Sequence, residues 1–211
     1  MNTSTIIIYT EDNYHMDATI NKILKDIRPQ MRCERYEHTL GVMYTASALA
    51  FRYEYDPTKA MLAGVLHDCA KIYTCKDYVA ECTRYGIEAT AQEMALPHLL
   101  HAPLGAYYAE HKYGVTDPDI LHAIRVHTLA GKDLSILDKI VYVADYIEPS
   151  RKECPALSRI RMLAFTDINK AVYAKLDNVV NYLKRSGYEV TDTTLELLDY
   201  YKKISEGEHN E

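Results

Sequence analysis

Apolar residues recur at spacings of three and four along nearly all of this 211-residue chain, and few stretches alternate with period two. Such a pattern gives each helix one stripe to bury and offers strands no apolar face, so it restricts the fold to packed helices. Ala18, Ile20, Ile23, Leu24 and Ile27 mark a first helix that Arg28-Pro29 ends. Residues 32–53 predict a second, with Leu40, Met43, Ala46 and Ala50 on one side. Asp56-Pro57 and Asp117-Pro118 each set a capping carboxylate before a proline suited to a first helical turn. The helix opened by the first pair carries Ala60, Met61, Ala63, Gly64 and Leu66 and ends near His67-Asp68. In the helix opened by the second, Ile120, Ile124 and His127 share a face. Gly86, Pro97, Gly114 and Gly131 punctuate shorter helices, and residues 136–147 form another that stops at Pro149. Helical spacing continues through 160–164 and 172–183 to a stop at Gly187, with a last helix over 195–204.

No internal repeat and no Gly/Ser-rich linker divides the chain, which predicts one all-α domain over residues 18–205. Residues 1–17 read as an N-terminal extension, disordered or a short strand, and 206–211 as a polar, fraying tail. A hydrophobic fraction of 48% against 26% charged residues is that of a globular protein and argues against disorder. The net charge of −6 argues against nucleic-acid binding, which needs a basic excess or face. It leaves room for a small phosphorylated ligand held by a metal and local cations. No apolar run approaches the roughly 20 residues that span a bilayer, so no membrane partner is expected. Five cysteines without a C-x-x-C pair read as free thiols of a cytoplasmic protein.

Within this helical text, Ala63-Gly64-Val65-Leu66 leads straight into His67 and Asp68. A carboxylate placed at the end of a core-forming segment needs a partner or a metal. His38, in R-Y-E-H-T, and Asp145, in Y-V-A-D-Y-I-E-P, lie at comparable positions on other helices. Two imidazoles and two carboxylates make a mixed nitrogen–oxygen metal site of the kind that suits iron, manganese or zinc better than calcium. His101, in P-H-L-L-H-A-P, and His127, in A-I-R-V-H-T, could hold a second metal with Asp68 bridging. His98 could share the face of His101. Arg35 precedes His38 by three, Lys71 follows Asp68 by three, and Arg151 follows Asp145 by six, so cations flank each candidate ligand. They could neutralise a phosphate, or simply pair with their acidic neighbours. His111 and His122 read as surface residues, and His15 and His209 as solvated ones near the ends. There is no G-x-G-x-x-G, Walker A loop, G-x-S-x-G or H-E-x-x-H, and Cys69 has nothing to activate it as a nucleophile.

The spaced pattern His38…His67-Asp68…Asp145 resembles the HD superfamily of all-helical, metal-dependent phosphohydrolases, whose bundle carries a metal centre between helices. The segments R-Y-E-H-T-L-G-V, H-D-C-A-K, L-L-H-A-P-L-G-A, A-I-R-V-H-T and I-V-Y-V-A-D-Y-I-E-P-S-R, in this order, are similar to the bacterial branch that splits diadenosine tetraphosphate symmetrically into two ADP. The likeness spans about residues 18–190, and the segment 74–97 has no counterpart in it. It implies an iron-type centre on His38, His67, Asp68 and Asp145, with manganese or cobalt as substitutes. It also implies nucleotide contacts from Arg35, Asp68, Lys71, His101, His127, Asp145 and Arg151, and a nucleoside end near Tyr182 to Gly187. Asp68, Lys71, His101 and His127 would then be the catalytic set, with metal-bound hydroxide attacking a bridging phosphorus. The partner would be a small nucleotide, with ADP or a GDP-like product, and a homodimer stays open. Two other functions remain open on sequence alone: an HD enzyme acting on a deoxynucleotide or cyclic dinucleotide, and a nucleotide sensor without turnover.

Overall fold

The computed structural model describes residues 18–72 and 75–207. The expectations for the extension over 1–17, for His15 and His209, and for 208–211 lie outside the described residues. Among those residues the chain forms eleven α-helices and no strand. In order they are α1 (Ala18–Ile27), α2 (Cys33–Arg52), α3 (Pro57–Leu66), α4 (Cys75–Arg84), α5 (Ala91–Ala95) and α6 (His101–His111). There follow α7 (Pro118–Val126), α8 (Ile136–Ile147), α9 (Leu157–Thr166), α10 (Ile168–Arg185) and α11 (Asp192–Glu206). Short 3-10 turns at Arg28–Gln30 and Pro97–Leu100 fall on the two prolines expected to break helices.

The Asp-Pro signals work as predicted. Asp56 accepts from the Thr58 and Lys59 backbone N–H groups, and Asp117 from that of Asp119, each ahead of a proline in the first turn. Two capping boxes escaped the sequence reading, Thr90 with Glu93 at α5 and Ser135 with Asp138 at α8. The segments expected over 160–164 and 172–183 are α9 and α10, which lie almost end to end because Asp167 turns extended (φ −154°) and caps α10 with its side chain. Glu206, assigned to the tail, ends α11 instead, and Gly207 closes it.

The 20-residue α2 runs along the core. α3 packs along it, α8 lies against both, and α7 crosses α3 and α8. Met43, Ala46 and Leu49 of α2, Ala63 and Leu66 of α3, Ile124 of α7 and Ile140, Val141 and Ala144 of α8 are fully buried between them. This packing sets the C-terminal ends of α3, α7 and α8 around the first half of α2, so the residues after three core-forming segments converge.

An ion pair holds the short α5 to α7. Glu93 is buried, accepts from the Thr90 backbone, and takes both guanidinium nitrogens of Arg125, with Nη2 at 3.1 Å from Oε2. Burial opposes its charge, but Arg125 and the Thr90 N–H hold its pKa below the ordinary glutamate range. A depressed carboxylate stabilises the fold fully above its unfolded value of about 4.3, and that contribution is lost as pH falls through the folded value. Arg125→Ala is therefore expected to cost about 2–3 kcal/mol at pH 7, less than for a fully buried pair because the guanidinium is partly exposed. The deficit should narrow as pH falls through the folded values of Glu93, where it protonates in both proteins. Urea denaturation at pH 7 and pH 3.5 measures both effects.

Candidate metal centre

α3 ends at Leu66, and the chain leaves it through tight turns closed by Cys69 N–H to Leu66 O and Lys71 N–H to Asp68 O. His67 and Asp68 thus sit at the exit of a buried helix, 0% and 1% exposed. Gly64, one turn earlier, lets that helix approach α2: a Cβ there would lie 2.9 Å from Met43 Cα. The approach brings His67 Nε2 to 3.3 Å from His38 Nε2. Asp145, in the last turn of α8, reaches His38 Nε2 with Oδ1 at 3.1 Å and lies 3.8 Å from His67 Nε2. On the other side His101, at the start of α6, and His127, just past α7, face each other with Nε2 atoms 3.3 Å apart.

Asp68 joins the two groups with one oxygen each. Its Oδ2 lies 3.4 Å from His67 Nε2 and 3.8 Å from His38 Nε2, and its Oδ1 lies 3.2 Å from His101 and 3.6 Å from His127. Donor atoms of His38, His67 and Asp145 all fall within 4.8 Å of one another, as do those of His67, Asp68 and His127. The residues expected for a first and a second metal are therefore brought together in two adjoining clusters that share His67, with one Asp68 oxygen turned toward each.

The tautomers decide what these clusters can hold. Nδ1 of His67 donates to Gly64 O at 2.7 Å, that of His101 to His98 O at 2.6 Å, and that of His127 to Ile124 O at 2.7 Å. His38 Nδ1 donates to the Glu148 carboxylate at 3.0 Å. With a proton on every Nδ1, the four Nε2 atoms turn unshared pairs toward the centre. Burial, opposed by Asp68, lowers the pKa of His101 and of His127, which keeps both in the neutral, ligating form. Opposed nitrogen lone pairs at 3.3 Å call for positive charge between them, and so does Asp68 Oδ1, buried without a hydrogen-bond donor. Burial works against the charge of Asp68 and Asp145. Arg35 and Lys71 pair with Asp68, Lys175 and Arg151 lie beside Asp145, and both pKa values stand well below the usual carboxylate range. Neutral imidazole nitrogen with ionised carboxylate oxygen is a donor set that fits a first-row divalent metal.

The cations take both roles that their spacing allowed. Arg35 Nη1 lies 2.6 Å from Asp68 Oδ2, Lys71 Nζ 3.4 Å from Asp68 Oδ1, and Arg151 Nη2 2.7 Å from Asp145 Oδ1. Lys71 reaches Asp68 across a turn and not along a helix face. Each cation pairs with a candidate ligand, and each keeps about a third of its side chain in solvent: 33%, 36% and 39%. A cavity of about 610 Å³ opens beside His38 and Glu148, walled by Arg32, Arg35, Ser150, Arg151 and Lys152.

Two buried residues at the centre escaped the sequence reading. Lys175 of α10 donates to Tyr142 O at 2.5 Å, lies over the Tyr142 ring and sits 4.0 Å from Asp145 Oδ2. Burial, reinforced by Arg151 and opposed by Asp145, pushes its pKa down to about 8. Glu148, read only as part of Glu148-Pro149, is 0% exposed. Lys and Glu at helical spacing look like solvated residues in any sequence, so only the burial of their surroundings identifies them. Cys69 donates to Gly105 O at 3.5 Å, and burial followed by Asp68 pushes its thiol up to about 12, which makes it inert. His98 contributes its carbonyl to His101 while its ring stays outside the clusters. His111 is exposed and stacks on Tyr107, and His122 is mostly exposed but bonds Asp138 at 2.9 Å. Tyr182, 59% exposed, stands near the end of α10, and Gly187 follows that helix with φ +75°.

The geometry agrees with what this chain resembles among known proteins. The family model of the HD domain matches residues 35–150. A protein of Halalkalibacterium halodurans named symmetrical bis(5'-nucleosyl)-tetraphosphatase is 40% identical over 177 residues, 82% of this chain and 92% of that one. Proteins of the same name from Bacillus subtilis and Staphylococcus aureus are 39% and 31% identical, over 80% and 89% of this chain and 89% and 96% of theirs. A crystal structure from Clostridium acetobutylicum, titled a predicted HD superfamily hydrolase involved in NAD metabolism, superposes with a TM-score of 0.82 at 36% identity. It covers 87% of this chain and 97% of that one. An all-helical frame that sets His38, His67-Asp68 and Asp145 around one buried point, matched by the family model over more than half its length, belongs to the HD-domain family.

Proposed function

We propose that this chain is a metal-dependent phosphoric anhydride hydrolase that cleaves diadenosine tetraphosphate symmetrically, giving two ADP. The observation that carries the chemistry is Asp68, whose two buried oxygens serve two imidazole clusters beside a cation-walled cavity. The substrate rests on the likeness to relatives that bear that name. His38, His67, Asp68 and Asp145 would hold the first metal, and His101 and His127 with Asp68 a second. Iron is the proposed metal, with manganese or cobalt able to replace it in a nitrogen–oxygen set of this kind. When bound, the metal supplies Lewis acidity toward phosphate oxygens and lowers the pKa of coordinated water toward about 7.

The protein's own part is to position an extended polyanion and neutralise its charge. Arg35 and Lys71 hold the buried Asp68, and Arg151 the partly buried Asp145, with one side and face solvent with the other, so they can meet phosphate oxygens without leaving the centre. In phosphoryl transfer such positioning and charge neutralisation carry most of the catalysis. His101 and His127, neutral and fixed through Nδ1, present nitrogen at set positions without adding charge. The exposed ring of Tyr182, with the turn to Gly187, is the proposed platform for one nucleoside. We place the enzyme in the cytoplasm, where the free thiols of Cys33, Cys69, Cys82 and Cys154 are at home.

Chromatography of the products distinguishes the readings. Iron-loaded protein given diadenosine tetraphosphate should yield ADP alone, whereas ATP with AMP would show asymmetric cleavage. Faster turnover of a deoxynucleotide or cyclic dinucleotide would move the substrate elsewhere in the family. Tight binding without product would make the protein a sensor.

A further inference from the structure

We infer that Glu148 is a positioning residue that fixes His38 in its metal-ligating tautomer, and that Gly41 is glycine to make room for it. The inference rests on the metal-centre reading above. Among the four central imidazoles, His67, His101 and His127 donate Nδ1–H to neutral backbone carbonyls, and His38 alone donates to a carboxylate. A carboxylate behind a ligating imidazole fixes the ring and raises its basicity, so His38 is set apart as the strongest nitrogen donor of the centre.

Glu148 is built into place from several sides. Its Oε1 accepts from His38 Nδ1 at 3.0 Å and from Ser150 Oγ at 2.7 Å, and its Oε2 accepts from the Ser150 N–H at 2.6 Å. Arg161 Nη2 donates to its carbonyl at 3.1 Å, and Arg161 Nε donates to Ile147 O at 2.9 Å, so the backbone around it is held as well. On the opposite side lies α2. A Cβ at Gly41, three residues after His38, would fall 2.4 Å from Glu148 Oε2 and 3.1 Å from its carboxyl carbon. Any side chain there would drive the carboxylate away from the ring. Arg151 Nε, 3.7 Å from Oε1, offsets part of the cost of burying this carboxylate, and its hydrogen bonds all go to one imidazole and one turn. The arrangement also links the loop after α8 to α2, so the two elements that supply Asp145 and His38 are set by one residue.

The test is metal affinity measured by competition with a chromophoric chelator on stripped protein, using manganese as the probe. Glu148→Gln keeps the size but turns an N–H₂ toward the Ser150 N–H or the His38 ring, and should weaken binding about 10- to 100-fold. Gly41→Ala should produce a loss of the same order from the other side. The ¹⁵N resonances of His38 in the stripped protein should shift from the Nδ1–H form toward a tautomer mixture in Glu148→Gln, while those of His67 stay in place. A residue that only supported the fold would not move that signal selectively. If Glu148→Gln does not fold, Ser150→Ala decides the matter: it removes one donor to the carboxylate at an exposed position and should weaken binding a few-fold. Wild-type affinity in the folded variants, or an unchanged His38 tautomer, overturns the inference. Wild-type protein that binds no manganese overturns the metal-centre reading itself.

Discussion

Asp68→Asn is expected to lower turnover of the tetraphosphate by about 1,000-fold or more while leaving the helices intact. The substitution keeps the volume of a side chain that is 1% exposed. It replaces one of two oxygens with an N–H₂ group, which can face the His67–His38 side or the His101–His127 side but ligates on neither. It also removes the negative charge that Arg35 and Lys71 hold in place. The variant without metal should be about as stable as the wild type without metal, because the lost pairing with Arg35 and Lys71 is offset by an N–H₂ that can donate to the Nε2 lone pairs around it. Steady-state rates on iron-loaded protein, with circular dichroism as a check on folding, measure both parts. Near-normal turnover in a folded variant would exclude the role given to Asp68.

The second large effect is on stability. Stripping the metal should leave four Nε2 lone pairs and two carboxylates facing one another at 3.1–3.8 Å, with only the outlying Arg35, Lys71, Arg151 and Lys175 to offset them. Any ion that binds the folded chain and not the unfolded one stabilises it, by about 4 kcal/mol at a free concentration 1,000 times its Kd. For a chain of this length that corresponds to about 8–16 °C in Tm. Thermal melts with and without chelator, followed by re-addition of iron, manganese and cobalt in turn, give the magnitude and rank the metals. Calcium, which favours all-oxygen sites, should restore little. A Tm indifferent to chelation would mean that the centre holds no metal.

The candidate ligands could be read because their local sequence is out of keeping with its surroundings. His67 and Asp68 follow Ala63-Gly64-Val65-Leu66, and Asp145 follows Val141-Tyr142-Val143-Ala144, so each places a titratable group where helical spacing predicts core. The Asp-Pro caps of α3 and α7 were equally legible, since capping depends on residues two or three apart. Glu148 and Lys175 were not. Their chemistry depends on partners 110 and 33 residues away in sequence, His38 and Tyr142, and an isolated Glu or Lys carries no mark of that. Gly41 and Gly64 are similar cases: each looks like a weak point in a helix until the neighbour that needs the space is known.

Apolar periodicity alone specifies an all-helical chain, because it allows no other buried surface, and residue type in its local context names the six residues that meet at the centre. The tertiary structure decided how they meet. Only the crossing of α2, α3 and α8 puts one oxygen of Asp68 toward each imidazole cluster. Only the carbonyls of Gly64, His98 and Ile124 and the carboxylate of Glu148 decide which ring nitrogen carries the proton. Ligand identity is a property of residue type, which a sequence contains. Tautomer, bridging and charge balance are set by atoms brought within a few ångströms across the fold, and packing alone brings them there.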